Sequence, residues 1–253
     1  VKLLVERDYD SISKRAAALV AEQIANRPDL VVGLATGSTP LGLYRYLIEE
    51  VQQGRLSLAA VKTFNLDEYL GLAPDHPQSY RSFMEENLFS QIDVVPANTH
   101  IPNGQPDDIA EHCAAYERLI VETGGIDIQV LGIGRNGHIG FNEPGEAFGR
   151  PTHLVKLAES TRQANARFFS HLGEVPTHAI TMGLKSIMNA RRVLLLAAGA
   201  DKSEAVYRAV CGDVSEDHPA SVLQLHPDCI FLLDEAAAAL LPAELRQDKG
   251  MRW

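Results

Sequence analysis

Residues 126–144 read IDIQVLGIGRNGHIGFNEP, and the two halves of this stretch belong to different kinds of structure. Ile126, Ile128 and Val130 lie in an apolar, β-branched run that reads as a buried parallel strand. From Leu131 to Pro144 come four glycines, a histidine, a glutamate and two asparagines in fourteen positions. Glycines directly after a strand allow a sharp turn and a close backbone approach to a ligand. Gly140 and Pro144 interrupt any helix, so His138 and Glu143 fall on an irregular loop. A polar loop at the carboxyl end of a parallel strand is where open α/β sheets place their ligands.

Gly132, Gly134 and Gly137 also spell G-x-G-x-x-G. As a dinucleotide signature that spacing needs a helix to begin at once, so that its amino terminus can hold a pyrophosphate. Here the chain continues HIGFNEPGEAFGRP, a loop, and the run lies in mid-chain. The glycines are therefore not read as a nucleotide site.

Working outward, apolar runs alternate with amphipathic ones. Upstream, residues 2–6, 30–34, 60–66 and 99–101 read as strands, and residues 41–53, 80–89 and 106–123 as helices. A first helix reaches to about residue 25, with Asp10-Ser11 as its expected cap. Gly124-Gly125 end the helix ahead of the central strand. Downstream, residues 153–157, 179–182, 193–198 and 229–233 read as strands. Residues 161–170 and 202–209 read as helices, and a short Ala-rich helix comes last. No repeat, low-complexity linker or composition break divides the chain. Strands alternating with helices give an α/β fold of one domain, residues 1–253, with an open, mostly parallel sheet and helices on both faces.

Composition fits that class. Of 253 residues, 45% are hydrophobic and 22% charged, ample for a core. The balance of 23 basic to 33 acidic residues, formally -10, argues against nucleic acid or an anionic membrane as main partner. It leaves room for an anionic small molecule held by local cations and backbone N–H groups. Cys113, Cys211 and Cys229 have no C-x-x-C spacing, which fits buried thiols in a reducing compartment rather than a metal or redox site. The opening VKLLVERDYDS lacks the pattern of a signal peptide, and no apolar run approaches the ~20 residues of a membrane span. A cytoplasmic protein is expected.

Three loops carry the chemistry. In GLATGSTP, residues 33–40, small hydroxyl residues and a glycine lie between a buried strand and a helix with Pro40 in its first turn. One Ser or Thr is enough to cap a helix, but here Thr36, Ser38 and Thr39 cluster around Gly37, which favours a phosphate cradle over a simple cap. The Gly-Lys-Ser/Thr ending of a Walker loop is absent. In NLDEY, residues 65–69, two adjacent carboxylates close a strand. Successive strand side chains point to opposite faces, so one of them meets the site, and Asp67 is taken as a general base raised in pKa by burial. His138 with Glu143 lacks a third nearby ligand for a metal, and a neutral imidazole oriented by a carboxylate suits proton exchange with a sugar hydroxyl. Arg162, Arg167 and Lys202 are the candidate cations for a phosphate.

These runs resemble glucosamine-6-phosphate deaminases. The segments GLATGSTPLGLY, TFNLDEYLGL, HPQSYRSFM, LGIGRNGHIGFNEPG, STRQANARFF and LQLHPD occur in order over nearly the whole chain. The resemblance implies a Rossmann-like fold without a nucleotide. It implies conversion of D-glucosamine 6-phosphate and water to D-fructose 6-phosphate and ammonia, a step of N-acetylglucosamine catabolism, with neither metal nor organic cofactor. Asp67 would then move a proton from C2 to C1 through an enolamine, and His138, supported by Glu143, would open the pyranose ring. Asn136 stands where many members carry an aspartate of the same relay and others an asparagine. Gly37, Ser38 and Thr39 match the family's phosphate loop, Arg167 and Lys202 its two cations, and residues 145–178 its mobile lid. Larger hexameric members bind an acetylated sugar phosphate as activator through two basic residues. Here His153 and Val155 occupy those positions, so no such activation and a monomer rather than a hexamer are expected.

Three rivals share the fold. A 6-phosphogluconolactonase has no need of both the D-E-Y and the N-G-H-I-G-F-N-E-P runs. A sugar-phosphate-sensing regulator needs a DNA-binding module, and the first strand begins at the first residues. A galactosamine-6-phosphate deaminase or isomerase differs at C4, through contacts the sequence does not expose.

Overall fold

Strands covered on both faces must be largely apolar, and three segments follow that rule: Val31–Leu34, Ile128–Leu131 and Cys229–Asp234 are buried at every position, with only Gln129 and Asp234 polar or charged among them. The computed structural model describes residues 1–166 and 169–246. In chain order its first elements are β1 (Lys2–Glu6), α1 (Tyr9–Asn26), β2 (Val31–Leu34), α2 (Leu41–Gln52), β3 (Lys62–Asn65) and β4 (Asp67–Tyr69). Next come α3 (Tyr80–Asn87), β5 (Thr99–His100), α4 (Ile109–Glu122), β6 (Ile128–Leu131), β7 (His153–Lys156) and α5 (Glu159–Asn165). The last are β8 (His178–Thr181), α6 (Leu184–Met188), β9 (Arg192–Ala197), α7 (Ser203–Cys211), β10 (Cys229–Asp234) and α8 (Ala243–Arg246).

Among the described residues, seven strands form a wholly parallel sheet in the order β1-β10-β9-β6-β2-β3-β5. Side chains along a strand alternate between faces, and β9 shows what that does. Val193, Leu195 and Ala197 enter one core with Tyr116 of α4 and Val206 of α7. Leu194 and Leu196 enter the other, with Ile12 of α1, Leu43 of α2 and Met84 of α3. Each such buried aliphatic side chain stabilises the fold by roughly 1.5–3 kcal/mol. The structure is therefore the expected single-domain α/β fold, with a mostly parallel sheet and helices on both faces.

The strand order reverses between β2 and β6. From β2 the chain builds outward through β3 and β5, then returns to lay β6, β9 and β10 on the other side. The crevice at the carboxyl ends of β2 and β6 is the topological switch point, where such sheets bind ligands. Their opposite ends are pinned by Asp127, whose buried carboxylate accepts from the Val31 N–H at 2.8 Å and pairs with Arg27 and Arg191.

Several expectations are corrected. The residues DEY do not end β3. Leu66 alone separates β3 from β4, which joins a second, antiparallel sheet in the order β4-β8-β7, with Asp67 opposite Thr181. The Leu66 carbonyl accepts from Met182 N–H at 2.6 Å, so the chain leaves the parallel ladder at that residue. The cap of α1 is Asp8 rather than Asp10-Ser11, its carboxylate accepting from Ser11 N–H at 2.8 Å. The expected Ala-rich helix after β10 is a run of turns, and α8 begins only at Ala243. The helix read over residues 161–170 starts earlier, and part of that range lies outside the described residues. Helix α6 and the 3-10 turn Pro219–Leu225 were not expected, being short and without a readable period.

Candidate active site

The loop after β2 supplies the first wall. Gly37 takes φ +84, a left-handed backbone that favours glycine and lets residues 36–39 curl ahead of α2. Pro40 sits at the N-cap of α2, one position before the first turn, and α2 has no side-chain cap of its own. The positive end of the helix thus faces the same cleft as Thr36, Gly37, Ser38 and Thr39. Thr36 meets the Tyr80 hydroxyl, whereas the Ser38 and Thr39 hydroxyls have no hydrogen-bond partner among the described residues.

The second wall is the loop after β6. Gly134 brings the backbone so near the His138 ring that a Cβ there would run into it, and the two residues share a hydrogen bond of 2.9 Å from Gly134 N–H to His138 carbonyl. The glycine spacing that mimics a nucleotide signature therefore serves to pack a histidine. Asn136 lies between His138 and Glu143. Its Nδ2 donates to Glu143 Oε2 at 2.7 Å, and its Oδ1 meets His138 Nδ1, also at 2.7 Å. The direct gap from His138 Nδ1 to Glu143 Oε2 is 3.6 Å. Glu143 thus orients the imidazole through the amide of Asn136. The bond directions follow. An ionised Glu143 only accepts, so Asn136 Nδ2 donates to it, Asn136 Oδ1 accepts from His138 Nδ1–H, and Nε2 keeps its lone pair as a base.

Glu143 is held ionised. Burial opposes its charge, but His138 and the hydrogen bonds from Thr161 and Asn136 outweigh that and bring its pKa below the usual glutamate value. Thr161 of α5 donates to Oε1, so both carboxylate oxygens are occupied.

Asp67 is treated differently. It is 5% exposed, lines the cleft, and its carboxylate has no hydrogen-bond partner among the described residues. Burial, and secondarily the charge of Glu68, push it up to about 8. Neighbouring Glu68 points away and caps the start of α3, accepting from the N–H groups of Tyr69, Tyr80 and Arg81 at 2.8 to 3.0 Å. Strand alternation makes that division of labour between adjacent carboxylates.

Lys202 closes the cleft beyond β9, its ammonium donating to the Ile133 carbonyl at 2.8 Å. Arg162 is not brought there. Its guanidinium donates to the carbonyls of Leu172 and Val175 at 3.2 and 3.1 Å and braces the segment between α5 and β8. Arg167 lies outside the described residues. His153 and Val155 fall on β7, where His153 Nε2 is 3.5 Å from Glu146, itself paired with Arg150. Sequence reasoning missed Tyr9, Tyr80, Thr161 and Asn165, which also line the cleft of about 830 Å³. The helical segment STRQAN carries a polar face that pointed to Thr161 and Asn165; nothing in the sequence brings Tyr9 to a loop some thirty residues on.

A switch-point cleft with an uncompensated carboxylate on one wall and an oriented imidazole on the other is the arrangement of an α/β enzyme that moves protons. The family model described as "Glucosamine-6-phosphate isomerases/6-phosphogluconolactonase" matches residues 6–231, and the chain belongs to that family. It is 51% identical over 244 residues to a glucosamine-6-phosphate deaminase of Thermoanaerobacter pseudethanolicus, covering 96% of each chain. To that of Clostridioides difficile it is 51% identical over 241 residues, 95% of this chain and 97% of the relative. A solved monomeric glucosamine-6-phosphate deaminase superposes with a TM-score of 0.93 at 49% identity, covering 95% of this chain and 100% of the other. The 6-phosphogluconolactonase of Trypanosoma brucei, at 21% identity and a TM-score of 0.78, shares the fold.

Proposed function

We propose that this chain is a glucosamine-6-phosphate deaminase of amino-sugar catabolism, acting as a monomer in the cytoplasm. The sugar's phosphate is held by the N–H and hydroxyl groups of residues 36–39 and by Lys202, with Arg167 joining from residues 145–178 as a lid. Holding that remote dianion makes binding energy available to place C2 against Asp67. His138 Nε2 takes the proton from the O1 hydroxyl and returns one to O5, opening the ring. Ionised Asp67 then removes the C2 proton to form an enolamine and delivers it to C1. The resulting C2 imine takes up water and releases ammonia, leaving fructose 6-phosphate. The positive amine at C2 favours the ionised form of a base whose own pKa, about 8, leaves it largely protonated at neutral pH.

The observation that carries this reading is Asp67. A carboxylate buried without a hydrogen bond is costly, and a proton on carbon is what such a strong base is suited to remove. Lactone hydrolysis presents no proton of that kind. The test is release of ammonia and fructose 6-phosphate from glucosamine 6-phosphate, with galactosamine 6-phosphate and 6-phosphogluconolactone alongside. Stoichiometric release of both products from the gluco sugar is expected. Turnover of the lactone alone would overturn the proposal, and preference for the galacto sugar would reassign the substrate within the same chemistry.

A further inference from the structure

Helix α2 starts without a side chain of its own to satisfy its first N–H groups, although Ser38 and Thr39 stand just ahead of its N-cap residue, Pro40. The missing cap comes from thirty-three residues away. The Tyr9 hydroxyl, at the first position of α1, accepts from Gly42 N–H at 2.8 Å. Its single proton is shared between the carbonyls of Ser38 at 2.9 Å and Thr39 at 3.1 Å. Tyr9 is itself fixed from behind, its carbonyl accepting from the Ser13 hydroxyl at 2.7 Å. One phenol thus does for α2 what a Ser or Thr hydroxyl ordinarily does, and also occupies the loop's carbonyls with its own proton.

We infer that Tyr9 is a positioning residue of the phosphate cradle, which caps α2 in place of Ser38 and Thr39 and so keeps their hydroxyls available to the substrate's phosphate. The inference rests on the proposed function, since it concerns how that same site binds a phosphomonoester. Two rival demands meet in the loop. A hydroxyl turned back to cap its helix cannot also donate to a phosphate oxygen, and a carbonyl turned inward would repel the dianion. Tyr9 removes both conflicts. Without its hydroxyl, Gly42 N–H needs another acceptor, and a Ser38 or Thr39 hydroxyl turned back to supply one is lost to the cradle.

Competitive inhibition by inorganic phosphate, measured beside steady-state kinetics on glucosamine 6-phosphate, tests this. In Tyr9→Phe both the phosphate inhibition constant and KM are expected to rise about tenfold, the scale of one lost cap hydrogen bond, with kcat within about twofold of wild type. Ser38→Ala is expected to weaken phosphate less in the Tyr9→Phe background than in wild type, because the hydroxyl has already been diverted. Asp10→Ala is the control for general loosening. Asp10 ties α1 to α2 through Arg45 and through Tyr46 at 2.8 Å but does not touch the loop, so its inhibition constant is expected to stay unchanged. Unchanged phosphate binding in Tyr9→Phe would overturn the inference, as would an equal loss in Asp10→Ala or full additivity of the Tyr9 and Ser38 replacements. A wild-type protein that phosphate does not inhibit would overturn the phosphate site itself, and the two failures are thereby told apart.

Discussion

Asp67 lines the cleft and Glu143 lies behind Asn136 and His138 on its wall, and the fold gives the two carboxylates opposite surroundings. Asp67 ends up beneath the surface with no donor aimed at it among the described residues and a second carboxylate next door, so its proton is held to about 8. Glu143 has a donor for each oxygen, from Thr161 and Asn136, and its proton leaves more easily than from an ordinary glutamate. One is a base kept unstable when charged, the other a charge kept stable so that it can orient an imidazole. Two carboxylic acids thus receive two roles from environment alone.

The sharpest way to break this contrast is Asp67→Asn. Removal of a general base is expected to lower kcat by about 10²–10⁴-fold, while the melting temperature rises, because the variant no longer has to bury a charge. The sign follows from linkage: a folded-state pKa raised from 3.8 to about 8 means stability is retained below pH 3.8 and lost as pH rises toward 8. The melting-temperature gap between variant and wild type therefore widens over that range and levels off above it, as a pH series of thermal melts would record. In wild type, kcat/KM is expected to climb with pH and flatten above about 8. A gap independent of pH would show that Asp67 is not the strained group.

Glu143→Gln is expected to show the opposite pairing of effects. The rate falls by about 10²-fold as the bond directions through Asn136 reverse and His138 Nε2 loses its lone pair. The melting temperature falls too, since charge-assisted hydrogen bonds worth roughly 1.5–3 kcal/mol are lost. Its lowered pKa gives stability present above the usual glutamate range and lost on acidification, so variant and wild type converge in melts at low pH. A smaller effect is expected from Thr161→Val, which leaves Glu143 one donor. There kcat/KM falls about tenfold, the lower end for one hydrogen bond to a charged group, and in acid melts the stability that Glu143 confers is lost at a higher pH. Thr161→Ser restores both, whereas a Thr161→Ser profile still matching Val would assign the loss to packing.

What the sequence made legible follows the physics that makes patterns local. The parallel strands were readable because burial on both faces demands mostly apolar runs, as in Val31–Leu34 and, around Gln129, Ile128–Leu131. The cleft loops were readable because polar, glycine-bearing segments followed those runs, bringing Asp67, Asn136, His138 and the residues around Gly37 into view. The second sheet was hidden because β4 has three residues and its partner Thr181 lies far along the chain. The placing of Asn136 between His138 and Glu143 was hidden for another reason: an irregular loop has no period from which side-chain directions can be read.

The outermost pairing of the large sheet bears on how the enzyme is made. Among the described residues strand β1 pairs with β10 alone, with Lys2 opposite Ile230 and Glu6 opposite Asp234. During synthesis β1 emerges before β10 and waits for all the intervening chain before it can dock. At the ~5–20 residues per second of translation this wait lasts on the order of ten seconds or more. A parallel pairing of such long sequence separation is also slow to form from the unfolded chain. Catalytic competence after dilution from denaturant is thus expected to follow how fast β1 and β10, neighbours in the sheet but far apart in the chain, find one another, and β10 stays a bare, adhesive edge until they do.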